Sequence, residues 1–334
     1  MLMYFIGLDI GGTKCAVTLA KSQGDLPDIL KKVQFPTADC NGPFEVMKKM
    51  LQHLEAVVNE AGLNLGDISA IGISCGGPLN SKKGVILSPP NLPGWDNIEI
   101  VRFFEEKTGI KTFLQNDANA CAVAEWKYGA GKGTENMIFL TFGTGLGAGL
   151  ILDGKLYCGS SDMAGEIGHV RLCEEGPVGY GKRGSCEGFC SGAGIKRMGI
   201  TAVEELLQQG VIPRLYEAAG RNLDNINAKL ISDLAKEEKD ELCISIYRKC
   251  GERLGETLSI LIDLFNPELI VLGGVYMRSN QLLSEHLEKV IERETLAAAR
   301  NVCKVVPAGL SEKIGDYAAL SVAAAEFERS NKSL

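Results

Sequence analysis

The chain has 334 residues, 45% hydrophobic and 23% charged, the composition of an ordinary globular protein with room for two domains with substantial cores. A formal net charge of −7, with no cluster of lysine and arginine, argues against nucleic acid as a partner, and no apolar run approaches the roughly 18 residues that a membrane span needs. Eleven cysteines, an odd number scattered through apolar segments as at Cys75 and Cys121, point to reduced thiols and a cytoplasmic location.

The first predicted element is a strand over the apolar run Tyr4-Phe5-Ile6, which has no basic leader ahead of it and therefore does not read as a signal peptide. It feeds Leu8-Asp9-Ile10-Gly11-Gly12-Thr13-Lys14, and Cys15-Ala16-Val17-Thr18-Leu19 reads as a second strand. Backbone N–H groups approach an anionic oxygen closely only where no Cβ intervenes, so Gly and Thr at a tight turn can form a phosphate cradle. The spacing is not that of a Walker A loop, and the turn runs on into a strand. A helix is predicted over 44–61, with Phe44, Met47, Met50, Leu54 and Val57 on one face and Gly62 as its stop. Ile71-Gly72-Ile73-Ser74 reads as a buried strand, followed by a turn-rich stretch over 76–95. Thr112-Phe113-Leu114-Gln115 is a further strand, running into Asn116-Asp117-Ala118-Asn119 and a helix over 120–128. Asn116 and Asp117 thus fall at a strand-to-helix junction, where a helix presents free N–H groups and where Asp, taken alone, reads as an N-cap.

In the second half, Met137-Ile138-Phe139-Leu140 leads into a second glycine loop, Thr141-Phe142-Gly143-Thr144-Gly145-Leu146-Gly147-Ala148-Gly149. Residues 143–148 satisfy the dinucleotide-binding pattern, but that reading requires a helix to follow. Instead Asp153-Gly154 stands between two short apolar runs, a hairpin signal, so a dehydrogenase is disfavoured. An irregular Gly/Cys-rich segment covers 165–194, and a long helix over 241–265 is ended by Asn266-Pro267. Leu269-Ile270-Val271-Leu272 reads as a buried strand running into Gly273-Gly274, and an Ala-rich last helix covers 316–328. Strand, glycine turn, strand, twice over, is how actin-like ATPase and sugar-kinase folds hold phosphates. The expected fold is therefore α/β, a two-domain actin-like (ribonuclease H-like) ATPase with mixed sheets flanked by helices. The expected division is a small domain over 1–117, with a C-terminal helix over about 315–334 packing back on it, and a larger domain over 118–314.

These residues, in this order, resemble the ROK family of repressors, open reading frames and sugar kinases within the hexokinase/actin superfamily. The resemblance covers nearly the whole chain. Besides the two glycine loops it is carried by Gly76-Gly77-Pro78, Asn91-Leu92-Pro93-Gly94-Trp95, Gln115 to Ala120, Gly165-Glu166-Ile167-Gly168-His169, and Cys186-Glu187 before Ser191-Gly192. It implies ATP- and Mg²⁺-dependent phosphorylation of a hexose or N-acylhexosamine, at the 6-hydroxyl and glucokinase-like, with a small-molecule sugar as partner and a homodimer as the assembly. Asp117 is implied as the catalytic base, and Gly77, Asn91, Asn116, Asp117 itself, Glu166, His169 and Glu187 as sugar ligands. Asp9 is implied to hold Mg²⁺ through water, Gly11, Gly12, Thr13, Lys14, Gly143, Thr144 and Gly145 to bind phosphates, and Gly273 and Gly274 to lie by the adenine and ribose. The alternatives are a catalytically silent sugar sensor of the same family, a kinase for another sugar such as fructose or allose, and a chaperone- or actin-like ATPase.

One departure stands out. Most family members hold a structural zinc with the Gly-His histidine and three cysteines, and alignment on Gly181 to Gly184 and Glu187 puts Val178, Tyr180 and Ser185 where those cysteines belong. No zinc is expected, since fewer than three protein ligands do not make a zinc site. His169, Cys173, Cys186 and Cys190 could in principle form a substitute set; thiols packing the loop is the preferred reading. Without a metal, a hydrogen bond from a carbonyl or carboxylate is expected to set the tautomer of His169. Sugar binding is expected to close the two halves about a hinge near 116–120.

Overall fold

The computed structural model describes residues 2–332. Strands β1 (Met3–Ile10), β2 (Lys14–Ser22), β3 (Asp28–Pro36), β4 (Ile68–Cys75) and β5 (Thr112–Asn116) form a sheet of order β3-β2-β1-β4-β5. The first three are an antiparallel meander, whereas β1, β4 and β5 run parallel. Their register aligns Asp9 with Ser74 and Ser74 with Gln115, so the carboxyl ends of the three parallel strands lie level. Both faces of the central strands are apolar because both are covered. On one face the Pro43–Glu60 helix buries Val46, Met47, Met50, Leu54, Val57 and Val58. Phe44, expected on that face, is 65% exposed: at 3.6 residues per turn it points roughly a third of a turn away from the buried stripe. On the other face lies the Ile314–Lys332 helix. A Cβ on Gly72 would stand 2.0 Å from the carbonyl oxygen of Ala319, so glycine in β4 and alanine in the helix together permit this close approach.

Strands β6 (Met137–Phe142), β7 (Leu146–Leu152), β8 (Lys155–Tyr157), β9 (Leu269–Leu272) and β10 (Lys304–Pro307) form a second sheet, of order β8-β7-β6-β9-β10. Strands β6, β9 and β10 are parallel, and β7 and β8 are an antiparallel hairpin turned by Asp153 and Gly154, both with positive φ, as the Asp-Gly pair predicts. The mixed sheets flanked by helices are those expected from the sequence. The Glu241–Phe265 helix ends at Asn266 in the left-handed conformation, just before Pro267.

The chain divides into two compact units. The first runs through Glu135 and adds Gly149–Ala164 and the chain from Gly309 onward; the second comprises Asn136–Ala148 and Gly165–Ala308. The first unit extends past residue 117, where the sequence placed a boundary, because the Asp117–Tyr128 helix is tied into it. Glu125, wholly buried in that helix, accepts hydrogen bonds from the N–H groups of Ala130, Gly309 and Leu310 at 2.8, 2.9 and 2.8 Å. A buried carboxylate without such donors would be strongly destabilising.

Candidate active site

In the first unit the predicted residues collect at the carboxyl ends of parallel strands, the usual location of ligand sites in α/β sheets. Asp9 is near the end of β1, Gly77 follows β4, and Asn116 ends β5. The turn from Gly11 to Lys14 is closed by the N–H of Gly11 bonding to the carbonyl of Lys14 at 3.1 Å. Thr37 steadies it: its hydroxyl donates to the Gly11 carbonyl at 2.6 Å and its N–H to the Thr13 carbonyl at 3.0 Å. The Asn91 segment presses on the same turn, since a Cβ on Gly12 would be 2.4 Å from the Asn91 carbonyl oxygen. Gly12, Thr13, Lys14, Gly77 and Asn91 are all exposed.

At the junction of β5 with the next helix, Asp117 is not the cap. The cap is Asn116, whose Oδ1 accepts the Asn119 N–H at 2.7 Å. Asp117 is instead the first helical residue, exposed, with one carboxylate oxygen accepting the Ala118 N–H at 2.8 Å. Burial of its surroundings pushes its carboxyl above the ordinary 3.8, although the hydrogen bond from Ala118 opposes this. Asp9 is pushed up to about 6, first by burial and then by the charge of Asp117, with Lys14 and Lys32 opposing and Asp316 adding slightly. Two further residues, Gln115 and Cys158, to which the sequence assigned no role, support this junction. Gln115 Oε1 accepts the Asn116 N–H at 2.9 Å and the Asn119 side-chain amide at 3.0 Å. Cys158 Sγ lies 3.4 Å from Gln115 Nε2 and 3.6 Å from Asn119 Nδ2. Amides at a strand end carry no sequence signal of this role, because their partners are defined only once the helix has formed.

In the second unit Gly143, Thr144 and Gly145 turn β6 into β7, and Gly273 and Gly274 follow β9, the parallel neighbour of β6. The first turn is backed by the Gly192–Gln208 helix, whose Gly192 N–H bonds to the Gly143 carbonyl at 2.8 Å. The second is pressed against it, since a Cβ on Gly274 would stand 2.0 Å from the Phe142 carbonyl oxygen. Glu187 sits on the short Cys186–Phe189 helix, which Ser185 caps through its hydroxyl, accepting the Gly188 N–H at 3.1 Å. One oxygen of Glu187 accepts the Leu146 N–H at 3.2 Å, joining this helix to the end of the glycine loop. Glu166 precedes and His169 ends the turn Ile167–His169, which follows the hydrogen bond of the Ala148 N–H to the Gly165 carbonyl at 2.8 Å. The glycine loop, Glu166, His169 and Glu187 are therefore brought together within this unit.

The surroundings of His169 differ from expectation. Its Nε2 is 3.9 Å from Glu166 Oε2, beyond hydrogen-bond length, and its ring neighbour is Tyr180. The residues aligned with the zinc cysteines have different fates: Val178 and Tyr180 are exposed on a hairpin, and Ser185 is the buried helix cap. Cys186 and Cys190 are fully buried against the Glu241–Phe265 helix, Cys186 bonded to Thr257 and Cys190 Sγ lying 3.7 Å from the Cys250 carbonyl. Cys173 Sγ donates to the Glu175 carbonyl at 2.8 Å. The substitute set on His169 is thus not assembled, and among the described residues no group of three or more His, Cys, Asp or Glu is placed to hold a metal. No helix among the described residues is long and apolar enough to cross a membrane.

The sequence model of the ROK family matches residues 5–326. The glucokinase of Thermotoga maritima is 30% identical over 318 residues, covering 95% of this chain and 96% of that protein. Among solved structures, a ROK family glucokinase from Streptomyces griseus in complex with glucose and AMPPNP superposes with a TM-score of 0.75 at 28% identity, over 97% of this chain and 100% of that one. A ROK family transcriptional regulator, a homologue of the E. coli MLC protein, has a TM-score of 0.83 at 24% identity, over 97% of this chain and 78% of its own.

Proposed function

Because this chain belongs to the ROK family, we propose that it is an ATP-dependent kinase of a hexose or N-acylhexosamine, acting at the 6-hydroxyl, with Asp117 as the general base. The observation that carries the reading is the division of labour at the β5–helix junction. Asn116 does the capping, so the Asp117 carboxylate, exposed and pushed up from its ordinary value by the burial of its surroundings, is free of that duty and available to accept a proton. The glucokinase relatives, one of them solved with glucose and an ATP analogue, support the substrate class.

In this reading the sugar hydroxyl gives its proton to Asp117 as its oxygen attacks the terminal phosphorus of ATP, whose bond to the bridging oxygen breaks to release ADP. In the first unit Asn116, whose Oδ1 is engaged, offers Nδ2 as a donor to a neighbouring hydroxyl, and the Asn91 side chain and the Gly77 backbone serve others. Glu166, His169 and the second oxygen of Glu187 are read as ligands of sugar hydroxyls, and the N–H groups of Gly143 to Gly145 take phosphate oxygens. The turn from Gly11 to Lys14 does the same in the first unit, and Gly273 and Gly274 lie by the adenine and ribose. Asp9 fits a hard cation held through water: no hydrogen bond among the described residues reaches its carboxylate, and burial beside Asp117 disfavours its charge unless a cation compensates. When bound, Mg²⁺ neutralises charge on the phosphates.

The test is an ATP-coupled assay over glucose, N-acetylglucosamine, N-acetylmannosamine, allose and fructose, with wild type and Asp117→Asn. We expect Asp117→Asn to fold normally and lose at least about 10²-fold in kcat. Near-wild-type turnover in a folded variant removes Asp117 from the mechanism, whereas sugar binding without turnover in the wild type makes the protein a sugar-responsive regulator.

A further inference from the structure

Residues 178–183 form a hairpin in which Val178–Gly179 pairs with Lys182–Arg183, leaving Tyr180 and Gly181 as its two loop residues. Both have positive φ, 42° and 76°. Two successive left-handed residues make the turn that matches strand twist, and Asn-Gly or Asp-Gly adopts it with least strain. A bulky tyrosine in the first position is a genuine outlier. Burial does not explain the choice, since Tyr180 is 67% exposed.

What the ring touches is His169. The ring centroids are 5.0 Å apart and the planes meet at 79°, an edge-on contact. The hairpin is fastened there by Lys182, whose Nζ donates to the His169 carbonyl at 2.6 Å. The side chains of His169 and Glu166, 3.9 Å apart, are themselves 39% and 41% exposed. A carboxylate, an imidazole and an aromatic ring therefore share one open surface, offering hydrogen-bonding groups beside an apolar wall. A hexopyranose has the matching duality, with hydroxyls round its edge and C–H groups on its faces.

We propose that Tyr180 is a specificity-determining residue of the sugar site, its ring packing on the C–H face of a hexopyranose whose hydroxyls Glu166 and His169 bind. This rests on the reading of Glu166 and His169 as sugar ligands and extends it to a residue that the reaction itself does not use. The strain at Tyr180 is then stored for binding, as backbone strain at functional sites commonly is.

The experiment compares Tyr180→Asn, which gives the turn its favoured residue, with Tyr180→Phe, which keeps the ring. Sugar affinity is measured by calorimetry with glucose, N-acetylglucosamine and N-acetylmannosamine, alongside thermal melting and steady-state kinetics. Tyr180→Asn should melt at or a few degrees above the wild-type temperature, while its sugar Kd and KM rise about tenfold, with kcat and the KM for ATP unchanged. Tyr180→Phe should stay within about twofold of wild type. Unchanged sugar affinity in Tyr180→Asn, with wild-type turnover intact, overturns the role of Tyr180 and leaves the kinase reading standing. A loss of affinity accompanied by a fall in melting temperature also overturns it, because the ring would then serve to pack the loop. If the wild type binds none of these three sugars and neither allose nor fructose, both readings fail together.

Discussion

At Gly12, in the first glycine turn, a Cβ would stand 2.4 Å from the Asn91 carbonyl oxygen, whereas at Gly143, in the second, the nearest atom to such a Cβ is Thr141 Oγ1 at 3.9 Å. Gly143 is also absent from the residues with left-handed backbone. The two turns look alike in sequence, yet the first needs its glycine because neighbouring backbone fills the space, and the second has a glycine that no protein atom requires. Next to it Gly274, with φ of +61° and the Phe142 carbonyl oxygen 2.0 Å from where its Cβ would be, belongs with Gly12 as a structural glycine. An identical residue type thus reports packing in one place and an open approach, suited to a ligand, in another.

The largest effect expected from this comparison is on stability. Gly274→Ala should cost about 3 kcal/mol and Gly12→Ala about 2 kcal/mol in denaturant unfolding, because each forces backbone to move. Gly143→Ala should stay within about 0.5 kcal/mol of wild type. If Gly12→Ala proves as harmless as Gly143→Ala, the distinction between the turns collapses. Gly143→Ala is expected instead to weaken ATP binding about tenfold in calorimetry, by keeping phosphate oxygens off the backbone, with sugar affinity unchanged.

Acidity sharpens the comparison for the first unit. Asp9 rises from 3.8 to about 6 under burial and the charge of Asp117, with Lys14 and Lys32 opposing. Protonation removes the charge that would hold Mg²⁺, so the half-saturating Mg²⁺ concentration for turnover should climb below pH 6, approaching tenfold per pH unit. Because the folded pKa lies above the unfolded one, its contribution to stability without Mg²⁺ is present below about pH 4 and lost as pH rises through about 6. Asp9→Asn should therefore melt above the wild type at neutral pH and match it in acid; a variant that never melts above the wild type would count against the raised carboxyl. The smallest effect concerns the second unit: Ser185→Ala removes a helix cap worth about 1 kcal/mol. It should raise the sugar KM modestly through Glu187, which rides on that helix, and an unchanged KM would show that the cap does not position Glu187.

Much of this molecule was legible in its residues. The apolar runs at 4–6, 71–74, 137–140 and 269–272 are buried strands, the Asp153-Gly154 pair turns a hairpin, and Asn266-Pro267 ends the long helix, because each of these depends on local sterics or on burial of a short run. The Gly192–Gln208 and Val275–Glu294 helices were not predicted, since glycines in the first turns of one and the polar run Arg278 to Gln281 in the other mask the apolar stripe. Phe44 shows the limit of periodicity: an apolar residue beside the stripe reads like one within it until the helix is docked.

What the sequence by itself determined was chemistry held by short segments: two glycine turns, each fed by a strand, a carboxylate at a strand-to-helix junction, and a histidine–carboxylate turn. Tertiary structure alone decided which of two adjacent polar residues caps the helix, because Asn116 and Asp117 are both competent caps and the choice falls on the one left with extended backbone where β5 ends, Asn116. It alone decided which glycines are packed and which are open, since that depends on backbone from distant residues such as Asn91 and Phe142. It also put Tyr180 beside His169, an association across eleven residues that a strained turn and one lysine hydrogen bond create and that no local propensity encodes.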